Sequence, residues 1–119
     1  DIALYAAKTD IVRSAEVLPG GVAVAKCGTD VDNAQLVSAQ AADDLLTIRG
    51  NKASFVVSES GNDSAISGRS IGKVNVQIIL ESLGGGGHAT MAAAVLPDTS
   101  IDEAYEKLKE TIENSMKED

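Results

Sequence analysis

The residues best placed to do chemistry in this chain are four consecutive glycines and the histidine behind them, Gly84-Gly85-Gly86-Gly87-His88. His88 is the only histidine. Glycine loses more conformational freedom on folding than any other residue, so such a run inside a compact domain needs a physical cause. One cause is close approach: amides without Cβ atoms can curl into a positive concavity that holds an anion such as phosphate. A plain turn between two elements is the commoner meaning of a glycine run. The neighbours favour the anion. Arg69 can grip a phosphate through two parallel hydrogen bonds, and His88 can donate a hydrogen bond or a proton. Ser67 and Ser70 flank Arg69. Asn75 fits two roles, capping a helix or reading a sugar or base edge. Lys73 reads as a solvated surface charge. The expected site is therefore Ser67, Arg69, Ser70, Asn75, Gly84, Gly85, Gly86, Gly87 and His88.

Other chemistries find no support. One histidine and one cysteine do not make a zinc centre, and most of the acid sits on a solvated C-terminal helix. No G-x-S-x-G elbow surrounds Ser67 or Ser70, and the glycine run lacks the Lys-Ser/Thr that completes a Walker loop. The chain alone reads as a binding module with no catalytic residues and no cofactor of its own. A net charge of −8 excludes a long basic groove for nucleic acid. The acid is concentrated at Asp98, Asp102, Glu103, Glu106, Glu110, Glu113, Glu118 and Asp119, so a local phosphate site around Arg69 is still compatible with it.

The elements that must position these groups follow from pattern. With 119 residues, 44% of them hydrophobic and no tryptophan, the chain is one domain with an aliphatic core. Asp1 to about Arg13 reads as a helix with Ile2, Tyr5, Ala6 and Ile11 or Val12 inward. Ala15 to Leu18 and Val22 to Lys26 read as a hairpin about Pro19-Gly20-Gly21. After a polar loop, Ala34 to about Ile48 is a helix burying Ala34, Val37, Ala41 and Leu45, with Gly50 as its C-terminal cap. Ala53 to Ser58 and Ser64 to Ser70 form a second hairpin. Strand alternation sends Ala65, Ser67 and Arg69 to one face and Ile66 and Gly68 to the other. Val74 to Leu83 is a short helix. Thr90 to Leu96 has no polar interruption, which predicts a central strand covered on both faces. In the last helix, Ser100 and Glu103 form a capping box ahead of the stripe Ile101, Ala104, Tyr105, Leu108, Ile112 and Met116. The class is α/β, with α+β as the other arrangement, around a central mixed sheet of about five strands. Cys27 cannot pair within the chain and is expected to be a buried, inert thiol in a reducing cytoplasm.

Leu83-Gly84-Gly85-Gly86-Gly87-His88, followed by Ala92-Ala93-Ala94, resembles the hallmark of the DHH-associated C-terminal domain, the second lobe of DHH-family phosphoesterases. Ser67-Gly68-Arg69-Ser70 and Gly72-Lys73-Val74-Asn75-Val76-Gln77 sharpen the likeness. So does Ala41-Ala42-Asp43-Asp44-Leu45-Leu46 running into Ala53-Ser54-Phe55-Val56-Val57. Together they resemble the subfamily that hydrolyses cyclic di-AMP to linear pApA. One departure is Ala93-Ala94, where relatives usually carry Ala-Gly.

The resemblance implies that residues 1–119 are the substrate-binding lobe of a longer enzyme. A separate DHH lobe would carry the ligands of two manganese ions, and this lobe would hold the nucleotide with the residues named above. It further implies an intramolecular DHH-lobe partner, room for a homodimer, and a cytoplasmic domain without lipid contact in a parent with membrane helices. Two other readings belong beside it: the lobe of a short-oligoribonucleotide or phosphoadenosine phosphatase, and a non-catalytic RNA-binding lobe. The Ser-Gly-Arg-Ser stretch argues against the first. The negative charge and few aromatics argue against the second.

Overall fold

The computed structural model describes residues 1–117; Glu118 and Asp119, counted above with the acidic segment, lie outside the described residues. The elements run α1 (Ile2–Arg13), β1 (Glu16–Leu18), β2 (Val22–Lys26), α2 (Ala34–Leu46), β3 (Ala53–Ser60), β4 (Asp63–Ser70), α3 (Val76–Glu81), β5 (Gly86–His88), β6 (Met91–Leu96) and α4 (Ile101–Lys117). The strands form one six-stranded sheet in the order β1-β2-β3-β4-β6-β5. Only β2 and β3 run parallel, because α2 is the crossover between them; the other neighbours are antiparallel. The class is α/β with a mixed sheet, as expected. The strand beyond the expected five is β5, made by the glycine run itself.

Side-chain alternation divides the sheet into two faces. One face carries Leu18, Val22, Val24, Phe55, Val57, Ile66, Ala92, Ala94 and Leu96, packed under α3 and α4. The stripe of α4 is as its spacing predicts, with Ala104, Tyr105, Leu108 and Ile112 buried. Its capping box closes too: Glu103 N–H donates to Ser100 Oγ at 3.2 Å, and Ser100 N–H to Glu103 Oε1 at 3.5 Å. On the other face Ala23, Ala25 and Val56 pack against Ile11 of α1 and Val37, Ala41, Ala42 and Leu45 of α2.

Several local expectations change. In α1 the inward residues are Leu4, Ala7 and Ile11 rather than Ile2, Tyr5 and Ala6. Ile2 is 87% exposed and Tyr5 68%, because α1 packs chiefly against α2 and turns its other side to solvent. The helix α2 stops at Leu46 with Thr47 as its cap. Gly50, at φ +93°, serves the loop beyond and does not cap the helix. The helix α3 begins at Val76 and leaves Val74 in the loop. The largest correction concerns β6. Its burial alternates, with Met91, Ala93 and Val95 exposed and Ala92, Ala94 and Leu96 buried, so it is covered on one face only. An alanine-rich run carries no polar marker on its open side, which is why the sequence reads as two-sided.

Candidate functional site

The glycine run has three jobs. At its start, Gly84 takes φ +87° and its N–H donates to the Glu81 carbonyl, while Gly85 N–H donates to the Leu80 carbonyl. That pair of bonds is the Schellman ending of α3. The amides of Gly84 and Gly85 thus satisfy helix carbonyls, and the four amides do not form a single anion concavity. Next, Gly85 and Gly87 allow β5 to lie against β6: a Cβ at Gly85 would collide with the Ala93 carbonyl oxygen, and one at Gly87 with that of Met91. Gly86 is different. Its φ is not positive, and a Cβ there would meet nothing within 4 Å. Nothing inside the domain requires glycine at that position.

Register shows where the side chains point. Directly paired residues on antiparallel strands share a face. Ser54 pairs with Arg69, Arg69 with Met91, and Met91 with His88. One step along, Val56 pairs with Ser67, Ser67 with Ala93, and Ala93 with Gly86. Arg69, Ser67, His88 and the open side of Gly86 therefore share the face that carries α1 and α2. The helix α2 covers β3 and β4 on that face and goes no further, so β6 and β5 are bare. Met91 is 48% exposed and Val95 50%. The β5–β6 turn is held rigidly at its tip. Val76 N–H donates to the Ala89 carbonyl at 3.1 Å, and Ser70 N–H to the Thr90 carbonyl at 3.0 Å. Those two bonds tie His88 to the end of β4 and the start of α3.

Arg69 is the most constrained charge in the site, its side chain only 14% exposed. Its Nε donates to Asp43 Oδ1 of α2 at 3.0 Å, and its Nη1 to the Gly68 carbonyl at 3.0 Å. Among the described residues Nη2 donates to no protein group. Asp43 is the participant that sequence reasoning missed. No local pattern marks it, because the contact depends on how α2 lies across β4.

Two expected residues take structural roles. Ser70 is buried on the opposite face of the sheet, where its Oγ accepts from Gly72 N–H at 2.9 Å. Asn75 caps α3, its Oδ1 accepting from Ile78 N–H at 3.2 Å, so of its two readings the cap is the one its oxygen serves. Cys27 is 1% exposed and burial pushes its thiol pKa up, consistent with an inert side chain. Lys73 is exposed.

A cleft of about 480 Å³ lies at the far end of β4 from Arg69, lined by Lys26, Thr29, Glu59, Asp63 and Asp102 among others. Its chemistry is wrong for an anion. Three of its side chains are acidic, and Lys26 already lies 3.1 Å from Asp102 and over the Tyr105 ring. The shallower surface around Arg69 and His88 is better matched in charge. Among the described residues no cluster of three or more His, Cys, Asp or Glu side chains could hold a metal ion. None of the described helices is long and apolar enough to cross a membrane.

The geometry defines an α/β domain with one closed sheet face and one half-bare face that presents an oriented arginine. By sequence the chain belongs to the DHHA1 domain family, whose profile matches residues 20–118. It is 45% identical over 112 residues to the cyclic-di-AMP phosphodiesterase GdpP of Geobacillus thermodenitrificans, which covers 93% of this chain. It is 40% identical over 114 residues to the cyclic-di-AMP phosphodiesterase PdeA of Listeria monocytogenes, which covers 95% of it. The chain spans 17% of the length of each of these relatives. Among solved structures it resembles an exopolyphosphatase-related protein from Bacteroides fragilis, with a TM-score of 0.84 and 18% identity over 96% of this chain and 35% of that one. It also resembles the pGpG-specific phosphodiesterase PggH of Vibrio cholerae, with a TM-score of 0.65 and 13% identity over 99% of this chain and 40% of that one. These two likenesses concern the fold.

Proposed function

We propose that this chain is the nucleotide-binding lobe of a cyclic di-AMP phosphodiesterase, with the bare half of the sheet as the surface that meets the substrate. The observation that carries the reading is the register that aligns Arg69, Met91 and His88 across β4, β6 and β5 on an uncovered face. Such a face suits a nucleotide. Met91, Ala93 and Val95 offer apolar surface to a base. Arg69 offers a fixed fork to a phosphate, and His88 a second donor. Gly86 keeps that face free of a side chain where two strands would otherwise crowd a ligand. The two cyclic-di-AMP phosphodiesterase relatives supply the substrate class.

In this reading, which follows the family resemblance, hydrolysis belongs to a separate DHH lobe that would hold manganese. When bound there, manganese would supply an activated water. This chain contributes binding and orientation: Arg69 engages a phosphate oxygen, and His88 donates to the same or a neighbouring group.

The test is kinetic, in the full-length protein that carries this chain. A phosphate held by Arg69 gains charge-assisted hydrogen bonds of roughly 1.5–3 kcal/mol each. Arg69→Ala is expected to lower kcat/KM for cyclic di-AMP by about tenfold to a hundredfold. Arg69→Lys should recover only part of it, since an ammonium lacks the planar fork. Wild-type kinetics for Arg69→Ala would overturn the reading. Running linear pApA and a short oligoribonucleotide beside cyclic di-AMP shows which nucleotide the surface prefers.

A further inference from the structure

Arg69 does not face the bare surface as a free side chain. One edge of its guanidinium is occupied by Asp43 of α2, 26 residues away in sequence, and Nη1 is tethered to the Gly68 carbonyl. The pair is asymmetric in exposure: the Asp43 side chain is 61% exposed and that of Arg69 is 14% exposed. An ion pair open to solvent on one side contributes little to stability, so it makes a poor structural brace. Its geometric consequence is larger. With Nε fixed on Asp43 and Nη1 on its own strand, the side chain has little rotational freedom left, and the terminal edge carrying Nη2 is the part without a protein acceptor.

We propose that Asp43 is a positioning residue for nucleotide binding: its carboxylate oxygen, by accepting from Nε, holds the Arg69 fork with its terminal edge presented to a ligand phosphate. The inference rests on the nucleotide-facing reading above and adds a residue to it on a different element. Asp43 does not touch the ligand. It acts by removing rotamers that Arg69 would otherwise have to give up on binding, worth about twofold to tenfold in affinity for a long side chain, and by keeping the terminal edge of the guanidinium aimed at the phosphate. The contrary possibility is equally definite in its consequences: a carboxylate beside the arginine would repel an incoming anion, and its removal would tighten binding.

The experiment uses the full-length protein, with cyclic di-AMP as substrate and four variants: Asp43→Ala, Asp43→Asn, Arg69→Ala and the double variant Asp43→Ala/Arg69→Ala. Asp43→Ala is expected to raise KM by up to about tenfold, the upper end of that rotamer cost, with kcat within about twofold. Asp43→Asn keeps a side-chain oxygen for Nε and should stay within about threefold of wild type. In the Arg69→Ala background the Asp43→Ala change should have no further effect, because a positioning residue has nothing left to position. Melting temperatures should move by no more than about 2 °C, as expected for a pair open to solvent on its Asp43 side.

Tighter binding in both Asp43 variants would overturn the proposal in favour of repulsion. Equal losses in Asp43→Ala and Asp43→Asn, additive losses in the double variant, or a lowered melting temperature with unchanged KM would also overturn it, while the Arg69 site would stand. An Arg69→Ala protein with wild-type kinetics would remove the site itself and the positioning role with it.

Discussion

The two faces of the sheet are built from alternate residues of the same strands, yet they serve different ends. Under α3 and α4 the face is continuous from Leu18 on β1 to Leu96 on β6, and the core there closes without gaps in coverage. On the opposite face α1 and α2 close over β2 and β3, and the covering ends at β4. The strand β6 shows the contrast within six residues: Ala92, Ala94 and Leu96 are core, while Met91, Ala93 and Val95 face outward. The closed face is core from β1 to β6. The other supplies a rigid platform whose exposed side chains are free to be chosen for contact. A ligand surface made of strand residues gains its precision from the packing behind it, which is why the half-bare face can be both open and well ordered.

That contrast can be broken in several ways. The largest expected effect is on the closed face. Leu108→Ala removes a fully buried side chain of α4 and should cost about 2–5 kcal/mol in urea unfolding. Met91→Ala on the bare face should change stability by less than about 0.5 kcal/mol. Comparable costs for the two would erase the distinction between the faces.

The glycine run gives a sharper version, since neighbouring positions point to opposite faces. Gly85→Val drives a side chain into the β6 backbone and should cost about 1–3 kcal/mol. Gly86→Ala has ordinary φ and open space, and should be neutral within about 0.5 kcal/mol. Thermal melts of the two proteins side by side would decide it.

The smallest effect concerns pH. The Tyr105 hydroxyl donates to Glu16 Oε1 at 2.9 Å and Lys109 Nζ lies 3.3 Å from the same oxygen. These two partners hold the Glu16 carboxyl below the usual glutamate range. A depressed carboxyl stabilises the fold above its unfolded value, near about 4.3, and loses that contribution as pH falls through the folded value. The stability gap between wild type and Glu16→Gln should be constant above about pH 5.5 and shrink on acidification below about pH 4. A gap that does not narrow would show that Glu16 is not tied to Tyr105 and Lys109 in the folded protein.

Much of this fold was legible in advance where local chemistry is self-sufficient. The capping box at Ser100 and Glu103 and the stripe of α4 needed no tertiary knowledge. Alternation along β4 was enough to set Arg69 and Ser67 on one face. Where partners decide the outcome, the sequence was silent. Glycines carry no strand propensity, so β5 exists only because β6 offers it a ladder. The orientation of α1 depends on how it packs against α2, and so Ile2 and Tyr5 read as inward when they are not. The bond between Arg69 and Asp43 depends on how α2 lies across β4, which no local pattern encodes. Ser70 and Asn75 have side chains suited to a ligand and to a turn or cap alike, and the neighbouring backbone N–H groups of Gly72 and Ile78 engage their oxygens.

On the proposed reading the bare half-face, rather than the acidic cleft at the other end of β4, is expected to receive the nucleotide. The most direct measurement is a titration of the isotope-labelled chain with cyclic di-AMP, followed by amide and side-chain NMR shifts. Perturbations are expected at Arg69, Ser67, Gly86, His88, Met91 and Ala93, with Ala92, Leu108 and the residues around Glu59 and Asp102 unmoved. Shifts centred on Lys26, Thr29, Asp63 and Asp102, or none at millimolar nucleotide, would contradict it.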